Sequence, residues 1–429
     1  MTQVAQVAQV VVTGLGVVAP TGRDTAEFWR SALAGVSGIR AISRFDTSRY
    51  PVRYAGEVGE FDPAEAIAPR VVAQTDLWTQ FALDATRQAL GWATLDPGLL
   101  DGFDIGVTTS AGSGGNAFGQ REIEALWARG PRHVGPYQSI AWFYAASTGQ
   151  ISIGHGMRGP CAVVSSESAG GLDAVAHARG AIRRGCRVQV CGGAEAPLSP
   201  YALTCHWRSG LLSTRGGEPD CYRPFTRDAS GHVPGEGGAV AVLEDAAHAR
   251  RRGVRALATV SGHAATFTGP QWAVDERGRR ERETEALSAA IRLALTDARV
   301  WPEEIGAVFA DGLGQRDADR AEIAALRAVF GRSLDRVPVT VSKPALGRAY
   351  SAAGCFDLAA AALSLRDGVV PPAAGLAQCD IAVNADVVTG RARPVELRHV
   401  LLLARGFGGF SSALVLSSTT QHDSSRRRE

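Results

Sequence analysis

Lysine is almost missing from this chain. Of the 45 lysine and arginine residues among its 429, only Lys343 is lysine. A codon bias toward arginine accounts for the depletion but not for the survivor. A compact ammonium can do what a planar guanidinium cannot, so Lys343 is a candidate site residue before any motif is considered. An excess of either charge is missing too. The basic residues face 43 acidic ones, for a formal net charge of +2, which excludes the basic surface that nucleic acid or an anionic membrane would require. No apolar run approaches the roughly 20 residues of a membrane span. No signal peptide is expected, because MTQVAQVAQVVVTGLG leads straight into a strand. The seven cysteines are odd in number and scattered. Cys186 and Cys191 have four residues between them and no second pair to complete a zinc site. Free thiols in a reducing cytoplasm are expected, with no metal and no cofactor.

What is present is ordinary globular composition, 45% hydrophobic and 21% charged, with length for two or three domain-sized cores. Fifty glycines point to tight turns and close backbone approaches. The most organised stretch is CAVVSSESAGGLDAVAHARGAIRRG, from Cys161 to Gly185. A short β-branched run reads as a buried strand, and small residues then make a turn. Leu172, Val175, Ala176 and Ile182 follow at helical spacing. Such a turn presents Ser168 at a helix N-terminus, where nucleophiles are often held.

Along the rest of the chain, Val7–Val18 reads as a strand broken by Gly14 and Gly16, with too few glycines for a dinucleotide fingerprint. Asp24–Leu33, Thr75–Leu90, Glu283–Ala298 and Asp319–Phe330 read as helices; Ile105–Thr109, Val188–Cys191, Val308–Ala310 and Val337–Val341 read as strands. A glycine turn into a strand spans Gly231–Asp245. The aromatic stretch Tyr137–Ile153 suits core and oligomer contact equally. Arg250, Arg251 and Arg252 read as a solvated face. Val339–Pro371 repeats the order of Cys161–Gly185, with GCFDLA at Gly354 echoing GLDAVA at Gly171. A unit used twice argues for two related α/β halves. The expected divisions are 1–255, 256–416 and a polar tail, 417–429. Ser-Glu-Ser-Ala-Gly around Ser168 differs from a hydrolase nucleophile elbow only at Ser166, but there is no HGGG, and His399 is the one late histidine in the body of the chain.

VVTGLGVVAPTG, the central strand and turn, YRPFTRDASGHVPGEGG, the Lys343 segment and GFGGFSSA stand in an order that resembles the β-ketoacyl synthases over roughly residues 8–416. The resemblance implies a thiolase-like five-layered αβαβα fold built from two duplicated halves. Condensing members hold the acyl chain on a cysteine and stabilise an enolate with two histidines. The matching positions here are Ser168, Asp311 in VFADGLG and Arg348 in SKPALGR. Each change opposes condensation. A serine needs a base to attack, an aspartate repels an enolate, and an arginine has no accessible neutral form.

This pattern is similar to that of the chain length factor, the ketosynthase β subunit of bacterial type II polyketide synthases. The resemblance implies a heterodimer with an active ketosynthase α subunit, an acyl carrier protein as second partner, and a tunnel that sets polyketide length. Most such subunits carry glutamine where Ser168 stands. A malonyl-carrier-protein decarboxylase or an acyltransferase using Ser168 is the alternative. Asp311 and Arg348 are expected to pair in the emptied pocket, and Lys343 is expected to pair with Asp357. The tunnel positions implied are Asn116, Gly119, Ile123, Tyr201 and Ala202. Because Gly119 and Ile123 are small for a closing wall, a long cavity is expected.

Overall fold

The computed structural model describes residues 8–215, 221–269 and 276–419. Among the described residues, five strands of the main sheet belong to the first half: β1 (Val10–Val18), β2 (Ile105–Ser110), β3 (Cys161–Val164), β4 (Val188–Glu195) and β5 (Gly237–Asp245). Five belong to the second: β6 (Ala258–Phe267), β7 (Ile305–Phe309), β8 (Val339–Thr340), β9 (His399–Gly406) and β10 (Phe410–Ser417). Their spatial orders are β3-β2-β4-β5-β1 and β8-β7-β9-β10-β6. In the first sheet β2 runs parallel to β3 and β4, and the other two pairings are antiparallel. In the second, β7 runs parallel to β8 and β9, and the other two pairings are again antiparallel. The topology is therefore duplicated strand for strand. The sheets join only where Val11 and Val12 pair with Thr259 and Ala258.

Alternation along the strands places helices on both faces. The main ones are α1 (Leu77–Trp92), α2 (Asn116–Arg129), α3 (Gly170–Arg183), α4 (Glu276–Ala298), α5 (Arg316–Phe330) and α6 (Ala353–Asp367). Along β9, Val400, Leu402 and Ala404 share a core with α3 and α6, whereas Leu401 and Leu403 share another with α4 and α5. A third core joins α1 to the outer face of the first sheet. The layers run α1, sheet, α3 with α6, sheet, α4. This is the five-layered arrangement, and it explains why LLLA in β9 is apolar at every position: both faces are covered.

Several expectations change in detail. Gly14 and Gly16 do not break β1. A Cβ at Gly16 would lie 1.9 Å from the Ala85 carbonyl oxygen, and one at Gly14 would lie 2.2 Å from that of Ala89, so the glycines let α1 approach the sheet. Arg252 is not part of a solvated face. It turns inward to Glu244 (3.0 Å) and to the carbonyl of Ala93 (2.8 Å). The glutamate is fully buried, which draws the guanidinium in. Ser417, assigned by its polarity to the tail, closes β10 and bonds to Ser261 (2.5 Å) and His399 (2.7 Å). Residues 420–429 and Val7 lie outside the described residues.

Candidate functional site

The central helices α3 and α6 start beside one another. The parallel strands β3 and β8 aim at this place, as βα turns do at the carboxyl ends of a sheet. Ser168 stands two residues before α3. Asp311 follows β7, and Arg348 follows a short helix at Lys343–Leu346. All three are buried. Arg348 joins them. Its Nε donates to Ser168 Oγ (3.2 Å), and its Nη2 donates to Asp311 Oδ1 (3.1 Å) and to the Arg405 carbonyl (2.6 Å). The pair expected from the sequence is present.

The network reaches further than the sequence reading did. Arg405 Nε lies 3.4 Å from Asp311 Oδ2, and its Nη2 pairs with Glu322 at 2.9 Å. Glu322 also accepts the backbone N–H groups of Asp311 (2.6 Å) and Gly312 (2.9 Å). Burial alone would push the Asp311 carboxyl up. The charges of Arg348, Arg405 and Lys343 outweigh burial and hold it at about 2. Burial likewise opposes the charge on Arg348, and Asp311 more than restores it. The Ser168, Asp311 and Arg348 positions hold no imidazole, while His232, kept neutral by burial, lines the cavity beside Arg348. The group bonded to the Ser168 hydroxyl is a cation that donates and cannot take its proton. The hydrolase constellation is not assembled either: His399 bonds to Ser417 in the β9–β10 pair.

Lys343 and Asp357, both buried, form an ion pair. The ammonium also donates to the Ala310 carbonyl at 3.1 Å, and Ser342 donates to Asp357 at 2.5 Å. Burial raises the Asp357 carboxyl, against the pull of Lys343. The lone lysine thus braces the segment that carries Arg348.

The positions expected to line a tunnel gather along α2 and the start of the helix at Pro200–Arg208. Asn116 donates to the Ser113 carbonyl (3.1 Å), and the Tyr201 N–H donates to Gln120 (3.1 Å), tying the two helices together. Ala202 is buried, whereas Ile123 and Tyr201 are more than half exposed. Gly119 does not open a space. A Cβ there would lie 3.1 Å from Trp142 Cδ1, because the indole fills the room a larger residue would take. Nothing in the sequence ties Trp142 to Gly119, since it sits in an aromatic run with no pattern of its own. Arg405 and Glu322 did carry a signal. One is a cation inside an apolar strand, and the other is an anion among the apolar positions of α5.

The family model for the beta-ketoacyl synthase N-terminal domain matches residues 8–249, and the model for the beta-ketoacyl synthase C-terminal domain matches 257–377. The chain belongs to the β-ketoacyl synthase family. Within this family it is 48% identical over 411 residues to the tetracenomycin polyketide synthase ketoacyl synthase beta subunit of Streptomyces glaucescens, covering 95% of this chain and 98% of that one. Among solved β-ketoacyl synthase structures, the ishigamide ketosynthase/chain length factor superposes with a TM-score of 0.84 at 29% identity, over 97% of this chain and 100% of that chain. A type II polyketide synthase acyl-carrier protein in complex with its ketosynthase, bound to the hexaketide, has a TM-score of 0.83 at 26% identity with the same coverage. The resemblance to the ketosynthase β subunits therefore holds along the whole described body. Among the described residues, no helix of this family member is long and apolar enough to cross a membrane.

Proposed function

We propose that this chain is the non-condensing β subunit of a type II polyketide ketosynthase, acting in the cytoplasm. In this reading it pairs with an active ketosynthase α subunit, receives chains presented on an acyl carrier protein, and shapes the tunnel that sets their length. The observation that carries the reading is the Ser168–Arg348–Asp311 network. It fills the pocket where condensation needs a thiolate and two imidazoles. The two halves divide at 255/256, between the helix Ala246–Arg252 and β6.

The surface supports a partner. β3 is the terminal strand of its sheet, and an open strand edge seeks pairing. On and against α2, Ile123, Trp127, Trp142 and Phe143 are 55%, 82%, 45% and 54% exposed, exposed apolar surface of the kind that marks an interface. Asn116, Gly119, Ile123, Tyr201 and Ala202 would line the tunnel from this side, with Trp142 against Gly119. The decarboxylase or acyltransferase alternative gains no support, because the Ser168 hydroxyl is enclosed and faces a cation.

The test is reconstitution. With a ketosynthase α subunit, carrier protein and malonyl donor, the pair should make polyketide, and this chain alone should extend no thioester. Turnover by the lone chain that is abolished by Ser168→Ala would overturn the reading.

A further inference from the structure

A cavity of about 460 Å³ leads from the surface to the Arg348 pocket, a size typical of small-molecule sites. Arg348, Tyr350 and His232 line it, and they are 2%, 5% and 3% exposed. Four of their polar atoms have no hydrogen-bond partner: Nη1 of Arg348, the Tyr350 hydroxyl and both ring nitrogens of His232. Buried polar groups are almost always paired, so three such side chains on one cavity mark a place built to receive something.

The side chains are held rather than loose. The His206 ring stacks on Tyr350 with centroids 4.1 Å apart, and His232 meets Tyr350 edge-on at 5.9 Å. Tyr350 and Glu167, both lining the cavity, have φ of +44° and +51°. Non-glycine residues seldom adopt that region, and such strain clusters at ligand sites.

The chemistry of the ligand follows from the unpartnered atoms. Arg348 Nη1 and the Tyr350 hydroxyl offer N–H and O–H donors. Burial, with the charge of Arg348, pushes the His232 imidazole down and keeps it neutral, so that its ring offers one donor and one acceptor. The Arg348 charge is already met by Asp311, and the wall's other charges balance, Arg279, Arg280 and Arg405 against Glu167, Glu283 and Asp317. The wall is therefore rich in donors without being cationic, which suits neutral carbonyl oxygens and not a carboxylate. Leu211, Leu313, Phe407 and Phe410 add an apolar lining for a chain.

We infer that this cavity binds the carbonyl oxygens of a neutral β-ketoacyl thioester, so that the disarmed pocket is a binding site in its own right. The origin of that thioester on a carrier protein rests on the function proposed above; the binding itself does not.

The test is calorimetric binding to the heterodimer, with the nucleophile of the ketosynthase partner replaced by alanine so that its site cannot be acylated. The probes are the acetoacetyl, butyryl and malonyl thioesters of N-acetylcysteamine. Acetoacetyl should bind most tightly. Tyr350→Phe and His232→Phe should each weaken it about fivefold, the worth of one net hydrogen bond. Neither should lower the melting temperature of the empty protein, because the removed groups have no partner in it; a purely structural role would lower it. Butyryl binding equal to acetoacetyl, preference for malonyl, or unchanged affinity in both variants would overturn the inference. Product length in a Trp142→Ala heterodimer reports on the tunnel without using this cavity, so the two readings fail separately.

Discussion

Gly171 and Gly354 hold equivalent places at the starts of α3 and α6, and each makes room for the other helix. A Cβ at Gly171 would lie 2.7 Å from the Ser351 carbonyl oxygen and 3.0 Å from Cys355 Sγ, while one at Gly354 would lie 3.0 Å from Leu172 Cγ. The crossing brings the Ser168 and Arg348 turns to one pocket. Gly171→Ala should cost about 1–3 kcal/mol by overpacking against backbone, read as a lower urea midpoint with an unchanged slope.

The buried pair of Arg348 and Asp311 should be costly to break from one side. Arg348→Met or Asp311→Ala should each destabilise by roughly 3–5 kcal/mol, because the partner charge stays buried. The double variant should cost less than the two together, which a double-mutant cycle would measure. Strict additivity would mean that the two groups do not interact in solution.

Stability should depend on pH with opposite signs in two windows. Asp311, held at about 2, lies below its unfolded value near 3.9. Its contribution is complete above about pH 4 and is lost as pH falls through 2. Burial raises Asp319 and Glu236 to about 7, against hydrogen bonds from Phe225 and Gly314 in one case and the charge of Arg44 in the other. Their folded forms keep protons that the unfolded chain releases near pH 4. Stability therefore falls as pH rises from about 4 to 7 and levels above that. The melting temperature should drop between about pH 4 and 7, and Glu236→Gln should flatten that slope.

The free edge of β3 gives a test of pairing that spares the fold. The carbonyls of Pro160 and Val164 accept from Val107 and Ala111 of the neighbouring strand. Ladder alternation then turns the N–H of Val163 outward. Val163→Pro removes that outward donor together with a half-buried valine that packs on the third core. Compared with Val163→Ala, which loses the same packing, it should greatly reduce co-purification with the ketosynthase α subunit at a similar melting temperature.

Product length should follow the indole beside Gly119. Trp142→Ala in the heterodimer should lengthen the polyketide, and Gly119→Phe, which must push the indole aside, should shorten it. Mass spectrometry of the products decides; no change in either would remove this wall from the tunnel.

The repeat was legible because both copies keep the same order of apolar strand, small-residue turn and alanine-rich helix. Ser168, Asp311 and Arg348 stood out because motifs frame them. Arg405 and Glu322 stood out only as charges among apolar residues, and Trp142 not at all, although one closes the charge network and another fills the space beside Gly119. Their side chains act at a distance of many residues, and no local pattern ties them to the pocket.

Sequence by itself determined the duplicated α/β architecture, through apolar alternation and glycine placement, and placed a serine, not a cysteine, at the turn before α3, through residue identity. Only the tertiary structure decided that Ser168, Asp311 and Arg348 meet in one ion network, that Gly119 faces an indole instead of an empty wall, and that Tyr350 and His232 point unpaired into a cavity. Local pattern fixes what a segment can become. Which distant charges, rings and hydroxyls meet is set by how two sheets and two central helices pack.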